Sequence, residues 1–367
     1  MVLEAKSENI ICEPTAPSLA PYVHPPQTKQ QLTYANLVTL DLEDFDQPGG
    51  KQKLAGQLRN VLTEGGFFYI TNFGLSEEEV NRQFAIARDF YALPYTERAR
   101  YRGRMEEDGI YRGYRALGST EVRPGLWDNI EHYNVLKFLP QFEQSHPHVI
   151  RLHWDEIGRF HRHIHEHIAY KLLRLVAIIL ELPEDYLVNG HCYESNCDSH
   201  MRYMMSRARS PIENEKYKDV YLRGHIDRGT LSFVFQQPVA GLQIKKDESS
   251  AWEYVCIEPG KILVNSADLI EIMTNGYFKA GLHRVVTPPE DQSFRDRLGV
   301  LYFVRPSDLL TLGTVDSPLL RRLGYYRPSE NKIPALEWTR ERVRTAFSSD
   351  PKSHVQMGGF SATSFQE

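Results

Sequence analysis

The spacing of apolar positions divides the chain into a largely helical first half and a strand-rich second half. Leu54, Leu58 and Leu62 recur at helical intervals within residues 51–65, and Gly65-Gly66 ends that helix. A short strand is expected over 36–45 and another over 67–73, where aromatic and β-branched residues crowd together. Ser76 followed by three glutamates predicts a capped helix running to about Phe90. Residues 97–125, dense in Arg, Gly and Tyr, follow neither period and read as a long loop, the kind of segment that usually carries function. The longest helical pattern spans about 148–182 and stops at Pro183. From Met201 to Val304 the rhythm changes to short runs such as YMMS, LSFVFQ, KILVNS and RLGVLYF between turn residues, which predicts a sandwich or barrel of short strands. Residues 1–35 hold no sustained period and read as an extended arm.

Composition narrows the function. With 367 residues, 41% of them hydrophobic, the chain has material for a large core. Its 43 Lys+Arg against 48 Asp+Glu leave a net charge of −5, so no basic field exists to hold a nucleic-acid backbone, and no nucleic-acid partner is expected. The most apolar stretch, Leu175 to Leu182, is far too short for a membrane span, and the first residues lack a basic segment feeding an apolar one. A cytoplasmic protein with no membrane partner is the expectation. Four cysteines are too few for a disulfide scaffold. Oligomeric state leaves no trace in the sequence.

The chemistry centres on His225-Ile226-Asp227 and on His283 in GLHRVV. Residues two apart on an extended segment share a face, so His225 and Asp227 can grip one metal together. A third ligand from a distant strand completes the two-histidine, one-carboxylate facial triad of non-haem Fe(II) oxygenases, which leaves open positions on the metal. A lone H-x-D is weak in a chain with 14 histidines and 48 acidic residues. Farther on, Arg297 lies on a strand pointing back into the core, where it is either an ordinary paired arginine or a fork for a carboxylate ligand.

Around these residues the chain resembles the isopenicillin N synthase-like Fe(II)/2-oxoglutarate-dependent dioxygenases. The likeness is carried by Gly241-Leu242-Gln243, Trp252, Pro259-Gly260, Asn265, Asp268, Thr274-Asn275-Gly276, Lys279 and His283-Arg284-Val285-Val286, and by LDLEDF, GGFFYITNFGL and FYALP in the first half. It covers roughly residues 36–306. The resemblance implies a mixed α/β protein with a mainly β core, a double-stranded β-helix or jelly-roll flanked by helices from the N-terminal half. It divides the chain into an arm (1–35), an N-terminal dioxygenase region (36–198), the oxygenase core (199–310) and a C-terminal segment (311–367). It also implies iron on His225, Asp227 and His283, with Arg297 partnering the distal carboxylate of 2-oxoglutarate and dioxygen as the other cosubstrate. Two departures stand out. Gly299 replaces the serine that often follows that arginine by two, and the strand that often reads Asn-Tyr-Tyr-Pro reads differently over 203–208. Ser206 and Arg207 are the candidates to take over those cosubstrate contacts. The departures leave open an Fe(II) oxidase that uses no 2-oxoglutarate, and beyond it a jelly-roll that only binds a small ligand.

For the substrate, Tyr111, Arg112, Tyr114, Trp127, Asn129, Met205, Phe235 and Tyr302 are the candidate contacts. Such an aromatic, mostly uncharged lining suits a flat organic molecule, polyketide- or terpenoid-like, in specialised metabolism. The segment from Val304 to about Tyr326 is expected as a lid. His161, His163, His165 and His167 on the long helix include i, i+4 pairs able to clamp a metal but project in several directions without an H-E-x-x-H, and His191, Cys192, Cys197 and His200 in the following loop lack the usual finger spacing, so both sets are read as ordinary polar positions.

Overall fold

The structure is a computed structural model that describes residues 18–247, 249–328, 333–346, 354–357 and 360–363. Its strands through residue 304 are β1 (Thr39–Asp41), β2 (Phe67–Thr71), β3 (Gly113–Arg115), β4 (Glu121–Arg123), β5 (Leu126–Trp127), β6 (Ile130–Leu136), β7 (His200–Ser206), β8 (Val220–Ile226), β9 (Leu231–Val234), β10 (Leu242–Lys245), β11 (Glu253–Tyr254), β12 (Ile262–Ser266), β13 (Leu282–Val286) and β14 (Arg297–Val304). An eight-stranded sheet runs β1-β2-β12-β9-β14-β7-β6-β3, and a four-stranded sheet runs β11-β10-β13-β8. Neighbours are antiparallel except β1 on β2. The two sheets pack face to face as a jelly-roll. Strands β1, β2, β3 and β6 come from the N-terminal half, so the large sheet straddles the boundary expected near residue 198.

The large sheet is covered on both faces, and the period of two sorts its side chains between them. Phe68 and Ile70 on β2 join the main core, whereas Phe67 and Tyr69 pack with Leu242, Ile244 and Leu263 between the sheets. The main core lies under helices α1 (Gly50–Glu64) and α2 (Glu77–Ala92) and the helical stretch that follows β6. Helix α1 buries Leu54, Leu58, Val61 and Leu62, and α2 starts in a capping box in which Ser76 and Glu79 each bond the other's backbone N–H. Gly66, at φ +76°, makes the turn from α1 into β2; a Cβ there would meet Ser266 Oγ at 1.9 Å.

Three expectations need correction. The stretch over 148–182 is not one helix: it breaks near His153 and widens into a π turn at Ile164–Ala169. That turn carries His165 into the core, where Tyr302 donates to its Nδ1 at 2.9 Å and its Nε2 donates to the carbonyl of His191 at 2.7 Å. Residues 97–125 are not one loop but include the helix Met105–Asp108 and strands β3 and β4. The segment expected as a lid instead anchors in the core through Leu319 and Leu320. The helix that approaches the site is Ala335–Ala346, whose Val343 packs on Met105 and Tyr111. The described part of the N-terminal arm is tied down by His24 on Asn81 and by Thr28 and Lys29 on Asp291.

Burial pushes His146 and His191 down to about 4 and His165 to about 3. An unfolded chain protonates these imidazoles below about pH 6.5, whereas the folded protein keeps them neutral until about pH 4. Stability is therefore expected to fall as pH falls through that window, by up to about 1.4 kcal/mol per histidine per pH unit. Urea midpoints measured between pH 7 and pH 5 check this; a flat profile would contradict neutral burial.

Candidate active site

His225 is the penultimate residue of β8, opposite His283 on β13, and Asp227 follows one residue beyond the strand. Among the described residues these three form the one His/Cys/Asp/Glu group whose ligating atoms all lie within 4.8 Å of one another. Asp227 Oδ1 stands 3.7 Å from His225 Nε2 and 3.8 Å from His283 Nε2. Each imidazole donates its Nδ1 hydrogen to a backbone carbonyl, His225 to Arg223 at 2.9 Å and His283 to Gly281 at 3.1 Å. Those bonds fix the tautomer that turns Nε2 toward Asp227, the usual second-sphere arrangement of a metal histidine. Burial lowers His225 to about 4, with His283 adding to the effect. Burial alone would raise Asp227, but His283 and His225 outweigh it and hold the carboxyl at about 2. At neutral pH Asp227 is thus a carboxylate and His225 a neutral imidazole, the protonation states a divalent cation requires of them. Asn265 Nδ2 donates to the other Asp227 oxygen at 3.2 Å.

On one side of this cluster lies a cavity of about 610 Å³ walled by Phe67, Leu242, Leu263 and Val285 and reaching Arg297. Arg297 is 4% exposed, and its Nε donates to the carbonyl of Val239 at 3.3 Å. No carboxylate among the described residues lies within 4.0 Å of it, and burial lowers it to about 10. A buried cation without a counter-charge is costly unless a ligand brings one. Ser206 sits opposite Arg297 in the sheet register with its hydroxyl buried and unpaired. Gly299 faces the same way, and a Cβ there would lie 2.8 Å from Gln237 Nε2, so the missing side chain makes room for the Gln237 amide. These features suit a dicarboxylic ligand that reaches from the cluster to Arg297.

On the other side a cavity of about 870 Å³ opens past Tyr111, Ile130, Met204, Leu222 and Phe303. Its wall also carries Arg115, Arg202, Arg228 and Arg305, so it is cationic rather than mostly uncharged.

Comparison with known proteins agrees with this geometry. Residues 37–156 match the model of the non-haem dioxygenase in morphine synthesis N-terminal region, and residues 195–306 match the 2OG-Fe(II) oxygenase superfamily. The chain belongs to the 2OG-Fe(II) oxygenase superfamily. It is 26% identical over 308 residues to UPF0676 protein C1494.01 of Schizosaccharomyces pombe, covering 82% of this chain and 91% of that one. It is 24% identical over 352 residues to the 2-oxoglutarate-Fe(II) type oxidoreductase ppzD of Metarhizium majus, covering 88% and 98%. Its fold matches that of a full-length Neurospora crassa protein solved in complex with alpha-KG, with a TM-score of 0.72 at 18% identity, over 85% of this chain and 99% of that chain. The protein is accordingly a 2-oxoglutarate-dependent dioxygenase of small molecules that uses iron and dioxygen.

Within this oxygenase the structure gathers some of the residues singled out by sequence and disperses others. His225, Asp227, His283 and Arg297 line the inner cavity, and Tyr111 lines the outer one. Arg207 does not turn inward: it pairs with Glu131 at 2.6 Å and Asp296 at 2.6 Å. Tyr114, Met205, Phe235 and Tyr302 all point to the helix side of the sheet, into the main core. Tyr114 bonds Glu131, and Asn129 bonds the carbonyl of Arg207. Trp127 is half exposed, and Arg112 lies outside the cavity walls. The residues that sequence reasoning missed, among them Arg115, His132, Arg202, Met204 and Phe303, are on the opposite phase of the same strands. Arg297 could have set that phase, since 299, 301 and 303 share its face.

Asp268 was missed as a support. One oxygen accepts Gly229 N–H at 2.8 Å, clipping the loop after Asp227, and the other accepts Trp338 Nε1 at 3.1 Å and Arg342 Nε at 3.3 Å. Asp268→Ala is expected to weaken iron binding about 10- to 100-fold and to cost about 3–5 kcal/mol by leaving Arg342 uncompensated. Anaerobic Fe(II) titration and urea unfolding read the two effects separately, and unchanged iron affinity would refute the first.

Proposed function

We propose that His225, Asp227 and His283 hold Fe(II), that Arg297 binds the distal carboxylate of 2-oxoglutarate with Ser206 beside it, and that the substrate enters from the outer cavity. The observation that carries this reading is the unpaired Arg297 guanidinium in the same cavity as the three ligating atoms. When bound, iron and 2-oxoglutarate supply the oxidising power, with dioxygen consumed and succinate and CO2 released. The chain's own part is to bind, orient and keep dry. Asp227 and the two imidazoles cap one face of the metal and leave the other for ligands. Arg297 fixes the far end of the cosubstrate with a charge-assisted bond, and the Ser206 hydroxyl gives that carboxylate a second donor. Phe67, Leu242, Leu263 and Val285 exclude water from the chelating end. The Neurospora crassa protein of the same fold was solved in complex with alpha-KG, which supports 2-oxoglutarate as the cosubstrate.

We further place the reaction in specialised metabolism and in the cytoplasm. The name of the N-terminal family model, which mentions morphine synthesis, supports the first. For the second, no described helix is long and apolar enough to cross a membrane.

Anaerobic titration with Fe(II) and then 2-oxoglutarate tests this reading. Wild type is expected to develop a weak visible charge-transfer band that His225→Ala abolishes. Arg297→Gln is expected to lose about 2–4 kcal/mol of cosubstrate binding, roughly 30- to 1,000-fold in Kd. Iron binding with no band at saturating 2-oxoglutarate would overturn the cosubstrate assignment.

A further inference from the structure

Five guanidinium groups gather beyond the metal cluster. Three have carboxylate partners: Arg115 pairs with Asp128 at 2.5 Å, Arg305 with Asp198 at 3.5 Å and Arg342 with Asp268 at 3.3 Å. Arg202 and Arg228 have none within 4.0 Å among the described residues. Arg202 spends one donor on Asn134 at 2.9 Å and another on His200 at 3.3 Å, both uncharged partners in the folded protein because burial holds His200 well below its ordinary value. Nε of Arg228 is buried with no hydrogen-bond partner. Both cations converge on one ring: the guanidinium carbon of Arg202 lies 5.3 Å from the Tyr111 centroid and that of Arg228 lies 5.6 Å from it.

Charge balance makes this pair conspicuous. Asp227 is the remaining carboxylate of the cavity wall, and the oxygenase reading commits it to iron. A divalent metal less the Asp227 charge and one carboxylate of 2-oxoglutarate is neutral, and the other carboxylate answers Arg297. Nothing in that inventory neutralises Arg202 or Arg228. Like charges held together in a recess stay there at a cost unless an anion joins them. Guanidinium forks pair best with planar carboxylates. The same wall carries the apolar side chains of Met204, Leu222 and Phe303 together with His225.

We propose that the substrate is an organic acid whose carboxylate is bound by Arg202 and Arg228 and whose apolar body lies across Met204, Leu222 and Phe303 toward the metal. This rests on the oxygenase reading for which atom is oxidised, but the recognition of the acid does not require iron. The cation pair sets which end of the substrate faces inward, so the oxidised carbon is one held away from the carboxylate.

Thermal melting of the metal-free protein tests recognition alone. Phenylacetate, 3-phenylpropionate and octanoate are compared with their primary amides up to about 10 mM, a range that resolves millimolar affinities. The acids are expected to raise Tm with apparent affinities at least about tenfold above those of the amides, a gap of about 1.4 kcal/mol. Arg228→Gln and Arg202→Gln should each remove that preference, and Arg228→Lys should restore part of it. Circular dichroism and the unliganded Tm establish that each variant is folded. Equal binding of acid and amide, no binding of any acid, or acid preference retained in both Gln variants would overturn the proposal. A missing Fe(II)·2-oxoglutarate band with the acid preference intact would sink the oxygenase reading and leave this one standing.

Discussion

A strand covered on both faces must divide its side chains between two interiors, and the placement of every group at this site depends on that division. On β14, Leu298, Val300, Tyr302 and Val304 feed the core beneath the helices, while Arg297, Leu301 and Phe303 face the cavities. On β7 the same rule sends Met201, Tyr203 and Met205 to the core and Arg202 and Met204 to the site. The apolar half of each strand is what holds the polar half in place. A guanidinium such as Arg297 stays aimed into an apolar cavity because its neighbours in sequence are clamped on the other side.

That division explains what could and could not be read from sequence. The clustering of His225, Asp227 and His283 was legible because His225 and Asp227 are two apart and metal chemistry restricts the residue types. Helices α1 and α2 were legible because each has a solvated face and so shows the helical period. The wall residues were not, because β14 is buried throughout and β7 at every position but Arg202, so their runs give a period without a phase. Choosing Met205 and Tyr302 over Met204 and Phe303 is one error of phase made twice, and Tyr114 over Arg115 is the same error on β3. The break at the π turn was hidden for another reason: His165 leaves the helical register to meet Tyr302 and the carbonyl of His191, partners far off in sequence.

Electrostatics then separates the two cavities that share the metal cluster. The inner one is mainly apolar and carries Arg297 besides an arginine it shares with the outer one, which suits a ligand of fixed length. The outer one carries several guanidiniums, each restrained by aromatic rings or by carboxylates that do not fully balance them. Arg202 borders both. An anion on either side therefore changes the field felt on the other, and in a low-dielectric recess that influence is poorly screened.

One element far along the chain meets both the metal loop and the substrate wall. The helix Ala335–Ala346 reaches Asp268 through Trp338 and Arg342, and Asp268 holds Gly229 next to the Asp227 loop. The next residue, Val343, packs on Met105 and Tyr111, the ring about which Arg202 and Arg228 gather. A displacement of this helix would loosen the Asp227 loop and withdraw the Tyr111 ring together, because Trp338, Arg342 and Val343 are carried by the same short helix. The His225, Asp227 and His283 cluster and the wall of the outer cavity are thus tied to one helix, although no residue of that helix belongs to the cluster.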